Sequence, residues 1–334
     1  MSSSWNPSRR ELTLLVLVLL VTACGVHTHP SVVGHYLVYG RNLDTPAPSV
    51  VLARPDGSGA HTIAHGQDAV LSPDGRWVAF DVDVDTGRGS IYKLFVVSTR
   101  GGKPRLLART DSWPSWLPSS DGIWAFKGEK PVSIDLRGHV TVLDAGPKIG
   151  YWSFSPDGRW VVFATGNGLT VMRVTGADRH NLTHGADDGG AVWGTHWIAF
   201  GRAWGGIWRI RPDGSGLHRI LAGPRHPGRT GIWGYVPVAW GPDDKTVLGQ
   251  IVTPHAWDVG IRIDVATGRF TYVHGYPVSL SRDGRFALAF GGRPTGGPGG
   301  GRLPPEWIAA LPFGHRGRRH VLARGDVCCP SWNR

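Results

Sequence analysis

Apolar residues fall along this chain in short runs, each broken by the same polar cluster. Leu71-Ser72-Pro73-Asp74-Gly75-Arg76-Trp77-Val78-Ala79-Phe80 matches Phe154-Ser155-Pro156-Asp157-Gly158-Arg159-Trp160-Val161-Val162-Phe163, and Leu280-Ser281-Arg282-Asp283-Gly284-Arg285-Phe286 begins a third copy. Trp240-Gly241-Pro242-Asp243-Asp244-Lys245 and Trp116-Leu117-Pro118-Ser119-Ser120-Asp121-Gly122 are degenerate copies. Proline presets φ at the first turn position, aspartate bonds its own backbone, and glycine takes the left-handed position. Each copy is therefore predicted to be a hairpin turn between two strands.

The large residue before the turn recurs as Leu71, Trp116, Phe154, Trp193, Trp240, Leu280 and Trp332, spaced 38 to 52 residues apart. These seven residues are predicted to form the core of a repeat. The period is that of a four-stranded sheet unit. In the second unit the later strands are predicted at Trp77–Val84, Ser90–Ser98 and Arg105–Ala108; in the fifth they are predicted at Trp197–Gly201, Gly206–Arg211 and Leu217–Leu221. The stretch 326–334 reads as an inner strand with nothing after it, and His35–Tyr39 as a second strand with no first. Pairing the two would remove both exposed edges.

The Ser-Pro-Asp-Gly-Arg-Trp-Val-Ala-Phe pattern is followed by Ile91, Tyr92, Val96, Gly101 and Gly102 in an Ile-Tyr-x-x-x-Val-x-x-x-x-Gly-Gly stretch. Together they resemble the TolB-like propeller repeat over residues 34–334. The resemblance implies an all-β fold, a β-propeller of four-stranded blades closed by the C-terminal strand pairing into the first blade. Seven blades are counted. The family's namesake is six-bladed, so six stays open and partners are not inherited. The motif is specific for fold and not for function.

Composition agrees. Gly 49, Pro 25 and Trp 16 disfavour long helices and suit many short strands. The formal net charge is +11, most of it arginine spread along the chain with one cluster at Arg316, Arg318 and Arg319. This spread argues for attraction to an anionic envelope surface and against a nucleic-acid partner.

The first residues carry a separate signal. Arg9 and Arg10 precede an almost wholly apolar stretch, Leu12–Val21, about half the roughly 20 residues a permanent span needs. Val21-Thr22-Ala23-Cys24 follows and resembles a bacterial lipobox, which implies a cysteine diacylglycerylated on its thiol and cut free before it. Residues 1–23 are thus predicted to be a lipoprotein signal peptide, 24–33 a lipidated tether, and 34–334 the propeller. Two acyl chains on Cys24 would hold the protein at the outer face of the cell membrane, or in the periplasm where a second membrane exists. Ser8-Arg9-Arg10-Glu11-Leu12 also resembles a twin-arginine export motif, and the route stays open.

Candidate chemistry is sparse. Asp81, Asp83 and Asp85 alternate as in a calcium loop, but Gly87 is displaced by one position and the terminal glutamate is missing; they read as a solvated hairpin tip. His61 with His65, and His180 with His184, fall in predicted fourth strands, where residues four apart lie roughly 13 Å from one another, too far to share a metal. His27 and His29 sit in the tether. Cys328 and Cys329 are adjacent and read as buried thiols, a strained redox disulfide being the other reading. The tryptophans read as packing between blades. No catalytic residue, cofactor or metal site is assigned. The expected function is a non-enzymatic binding or scaffold module, monomeric, with a protein or cell-envelope polymer as partner. A regulatory partner of an envelope system is a further reading. The alternative is a propeller enzyme of lyase, glycosidase or cyclase type working in the axial funnel, which carboxylates and histidines on the innermost strands would favour.

Overall fold

The Ser-Pro-Asp-Gly turn organises each unit. In the computed structural model the Ser72 hydroxyl donates to Asp74 Oδ1 (2.6 Å), and the Arg76 N–H donates to the same oxygen (3.0 Å). The Trp77 N–H donates to Ser72 Oγ (3.0 Å) and the Gly75 N–H to the Ser72 carbonyl (2.9 Å). Ser155, Asp157, Gly158 and Trp160 repeat these bonds. The serine hydroxyl and the aspartate carboxylate of the turn are thus used locally, which is why the cluster recurs as a block.

The structure describes residues 36–43, 45–85, 90–111, 114–127, 130–143, 151–202, 205–226, 231–253, 259–281, 284–291, 307–313 and 318–333. They form seven four-stranded sheets. All strand pairs within the sheets are antiparallel. Blade 1 combines 327–333 with 36–65, and blades 2 to 7 span 67–110, 115–142, 152–181, 189–221, 234–274 and 276–324. The inner strands are Gln67–Leu71, Ser115–Trp116, Trp152–Phe154, Gly189–Trp193, Gly234–Trp240, Tyr276–Leu280 and Val327–Asn333. The second blade's strands reach Asp85 and Thr110, slightly beyond the predicted ends.

The ring closes as expected. Val327–Asn333 pairs antiparallel with Tyr36–Arg41, with Leu37 opposite Trp332 and Arg41 opposite Val327. The count is seven blades.

Seven apolar clusters fill the ring, one in each interface between neighbouring blades. Strand alternation makes this possible. Val78 and Phe80 face blade 1, while Ala79, between them, faces blade 3 with Leu94 and Val96. Both faces of a blade are buried, so its second strand reads as a continuous apolar run.

The large residues before the turns end the inner strands and reach across these interfaces. The Trp116 Nε1–H donates to the Val70 carbonyl (3.0 Å), and the Trp240 Nε1–H to the Val192 carbonyl (3.2 Å). The Trp193 N–H donates to Ser153 Oγ (3.0 Å), and the Leu71 N–H to Ser331 Oγ (3.2 Å). Phe154 is buried and Leu280 partly so. The Trp332 side chain lies outside the described residues.

The first turns of successive blades also touch. The Asp74 N–H donates to Ser120 Oγ (3.0 Å), and His196 Nδ1 lies 2.6 Å from Asp244 Oδ2. Gly158, at φ +71°, has room only for a hydrogen: a Cβ there would stand 2.7 Å from Pro118 of the preceding turn.

Trp116 is 2% exposed and carries one cross-blade bond. Trp116→Ala should lower stability by about 3–5 kcal/mol, read as a shifted denaturant midpoint. Tyr272→Ala, at a residue 70% exposed, should change it by only about 0.5 kcal/mol.

Candidate functional site: the axial entry face

Antiparallel order gives the ring two unlike faces. One carries the turns between first and second, and between third and fourth, strands; this is the turn face. At the other, the entry face, the inner strands begin, second strands end and third strands start. The polar groups with unusual surroundings gather there.

Tyr151 lies just before the inner strand of blade 4, held where the Ala164 N–H donates to its carbonyl (3.2 Å). Tyr276 begins the inner strand of blade 7. Blades 4 and 7 stand opposite each other in a ring of seven, yet Tyr276 helps raise the Tyr151 phenol's pKa, after burial, which is the larger cause. Both residues stand at the entry face, where the inner strands begin. Burial pushes Tyr276 up to about 12, with Gln250 partly opposing it. Gln250 is itself buried, and its Nε2–H donates to the Pro277 carbonyl of the next blade (2.7 Å). The ring Tyr276–Phe290 contact, at 5.1 Å between centroids, steadies the phenol.

At the same face, Asp188 receives both bonds of a forked contact from Arg202, Nε to Oδ1 at 2.6 Å and Nη2 to Oδ2 at 2.7 Å. The Asp188 side chain is fully buried. Arg202 also lies over the rings of Phe200 and Trp208, at 5.2 and 5.1 Å. A planar cation between two aromatic faces and a bidentate acid is held in one place.

Blade 2 contributes the third feature. Asp81, opposite Gln67 on the inner strand, is 0% exposed, and neither carboxylate oxygen has a hydrogen bond of ordinary geometry. Burial, then the charge of Asp68, raises its pKa to about 9, with the Gln67 side chain opposing this. Nearby, burial lifts the Tyr92 phenol, and Asp83, Asp81 and Asp68 lift it further. In blade 6 the position matching Asp81 by register is Gln250, three residues beyond the partner of the last inner-strand residue. An amide donates across the interface there; an ionised carboxylate cannot.

This corrects the reading of Asp81 as part of a solvated tip. Asp83 is exposed, but Asp81 sits inside the strand Trp77–Asp85, on the side that faces blade 3. The Asp85 side chain lies outside the described residues.

Similarity to solved structures follows the same architecture. Oligogalacturonate lyase in complex with manganese superposes with a TM-score of 0.58 at 12% identity, over 87% of this chain and 85% of that one. The periplasmic gluconolactonase of Pseudomonas aeruginosa gives 0.57 at 13%, over 89% and 97%. TolB from Acinetobacter baumannii gives 0.48 at 14%, over 89% of this chain and 66% of that one. The chain is a seven-bladed β-propeller. The likeness is one of fold, since identities this low carry no activity. No protein-family model matches the chain, and no curated protein is similar to it in sequence.

The propeller brings together few of the residues singled out from sequence. His61 and His65 end one fourth strand, and His180 begins another with His184 beyond it. Among the described residues no group of three histidines, cysteines or carboxylates is placed to hold a metal ion. Cys328 and Cys329 fall in the closing strand, with side chains outside the described residues, as are Cys24, His27 and His29. Tyr151, Tyr276 and the Asp188–Arg202 pair were missed. Their one sequence signal is position, at or just before an inner strand or at the end of a second strand.

A carboxyl whose folded pKa is raised binds its proton more tightly in the folded state, so it costs stability as pH rises from about 4 towards about 9. Asp81→Asn should flatten that slope. It should raise the melting temperature at pH 8 by roughly 2–4 °C, about 1 kcal/mol, and leave it nearly unchanged at pH 4. An equal effect at both pH values would show that Asp81 is ionised throughout.

Proposed function

We propose that this protein is an exported bacterial lipoprotein, anchored through Cys24, whose propeller is a non-enzymatic binding module. The observation that carries the binding reading is the content of the inner strands. Across all seven the only carboxylate is Asp68, and there is no histidine. Acid–base chemistry in an axial funnel needs ionisable groups converging there, tuned towards the working pH. Among the described residues the entry face holds two neutral phenols, a buried amide, and an acid already paired with its arginine. Neutral donors and acceptors set among aromatic rings suit a ligand held by hydrogen bonds and stacking. A protein segment or an uncharged stretch of envelope polymer has that chemistry.

The anchor reading is supported by the coincidence of Arg9-Arg10, the apolar stretch and Val21-Thr22-Ala23-Cys24. The alternative enzyme reading would fall on Asp68 with Asp81 and Asp83, which lie at or near the same face. Oligogalacturonates and gluconolactone, the substrates named for two proteins of this fold, are the compounds with which to test it.

Two measurements test these readings. Wild-type protein should enter the detergent phase and resist a high-salt wash of membranes, while Cys24→Ser should do neither; a variant that partitions like the wild type removes the anchor. Partner capture from the producing cell's envelope should be lost in Tyr151→Phe/Tyr276→Phe with an unchanged melting temperature. Turnover of either compound by wild type, abolished in Asp68→Asn, would replace binding with catalysis.

A further inference from the structure

The turn face has a charge pattern of its own. Every blade places an exposed basic side chain in its turns: Arg54 in blade 1, Arg76 in blade 2, Arg137 in blade 3, Arg159 in blade 4, Arg211 in blade 5, Lys245 in blade 6 and Arg285 in blade 7. The acids of the same turns are drawn back onto the backbone. Asp56 accepts from the Ser58 N–H (2.9 Å), Asp213 from the Ser215 N–H (2.9 Å), and Asp243 from the Lys245 N–H (3.0 Å), as Asp74 and Asp157 do from their own turns. Those carboxylates stand at the surface beside the basic groups, and Arg100, Lys103, Arg179, Arg269, Arg318 and Arg319 add further exposed basic side chains to the same face. Three of the chain's exposed large apolar residues stand at the same rim. Leu106 is next to the start of the fourth strand in blade 2, Val140 begins the one in blade 3, and Leu217 precedes the one in blade 5.

The N-terminal segment leaves from this face too. Tyr36 pairs with Asn333, beyond Trp332 at the end of an inner strand, and inner strands end at the turn face. Residues 25–35 separate Tyr36 from Cys24, a reach of at most roughly 40 Å when fully extended. A lipid on Cys24 would hold the turn face, and not the axial mouth, towards the bilayer.

We propose that the turn face docks on an anionic membrane surface, its ring of basic side chains lying against phosphatidylglycerol-type headgroups and its rim apolar residues dipping among them. The proposal rests on the anchored reading for its orientation, but the charge pattern can be tested without the lipid. Docked this way, the propeller presents Tyr151, Tyr276 and the Asp188–Arg202 pair away from the membrane, where a partner can reach them. Each basic group near an anionic surface adds to the attraction, which salt screens.

The test uses the full chain carrying Cys24→Ser, which has the same ring without acyl chains. Binding is measured by co-sedimentation with phosphatidylglycerol/phosphatidylcholine vesicles and with phosphatidylcholine vesicles. Arg76→Glu/Arg159→Glu/Arg285→Glu reverses charge on the turn face. Lys127→Glu/Lys130→Glu/Arg324→Glu makes the same net change with exposed residues of the entry face. The first set should weaken binding to the anionic vesicles by roughly tenfold or more, and the second by roughly twofold or less. Arg76→Gln/Arg159→Gln/Arg285→Gln should fall between, which keeps the result readable if the reversed variant unfolds. Equal loss from both faces, or equal binding to neutral vesicles, overturns the proposal. Binding to soluble polyphosphate without binding to vesicles also overturns it, in favour of an envelope polymer. Salt-resistant retention in cells tests Cys24 and salt-sensitive vesicle binding tests the turn face, so either can fail alone.

Discussion

A blade in this ring has no exposed flat face. Each sheet is apolar on both sides, and each side is buried only by a neighbour, so no subset of blades completes its own core. Seven interfaces need seven blades, and the last is made by sealing Val327–Asn333 against Tyr36–Arg41. The interface between blades 7 and 1 holds Leu37, Tyr39, Val51, Leu288 and Ile308, all buried. Burial of about 25 cal/mol per Å² of apolar surface is the main return for ordering so long a chain, and an open ring would forfeit it at two faces together. Closure is therefore a condition of stability for every blade.

Within that constraint, polar groups are tolerated where they are satisfied locally or across one interface. The Ser-Pro-Asp-Gly turn satisfies itself, and its serines, tryptophans and backbone groups bond to the next turn or the next inner strand. Gln250 does the same near the entry face. Asp81 does not, and the interface between blades 2 and 3 carries a carboxyl whose pKa is pushed up by burial and by the charge of Asp68. The contrast between two register-equivalent positions shows how little separates a packing residue from a strained one: one amide donor.

The repeat, the turn chemistry and the closing strand were legible in the sequence because each is a local signal. A Pro-Asp-Gly turn is read from four residues, and the blade period from the spacing of one large residue. The axial site was hidden because its members belong to different repeats. Tyr151 and Tyr276 lie three blades apart in sequence order and share one face only because the ring curves them together. Asp81 looked like a solvated tip because alternation of acids is what a hairpin end shows. Its true setting depends on the strand running on to Asp85 and on which neighbour that side faces.

The closing pair also has a consequence in time. Residues 36–41 leave the ribosome early and residues 327–333 late, so the first blade must wait with an unpaired edge while nearly all of the chain is made. At roughly 5–20 residues per second that interval is on the order of tens of seconds. The intervening blades can stack provisionally as they emerge, as repeat units do, but the cooperative unit does not exist until its final strand is available. Contacts this distant in sequence also make for slow folding. A protein built this way stays open and threadable through most of its synthesis, and becomes rigid only at the end.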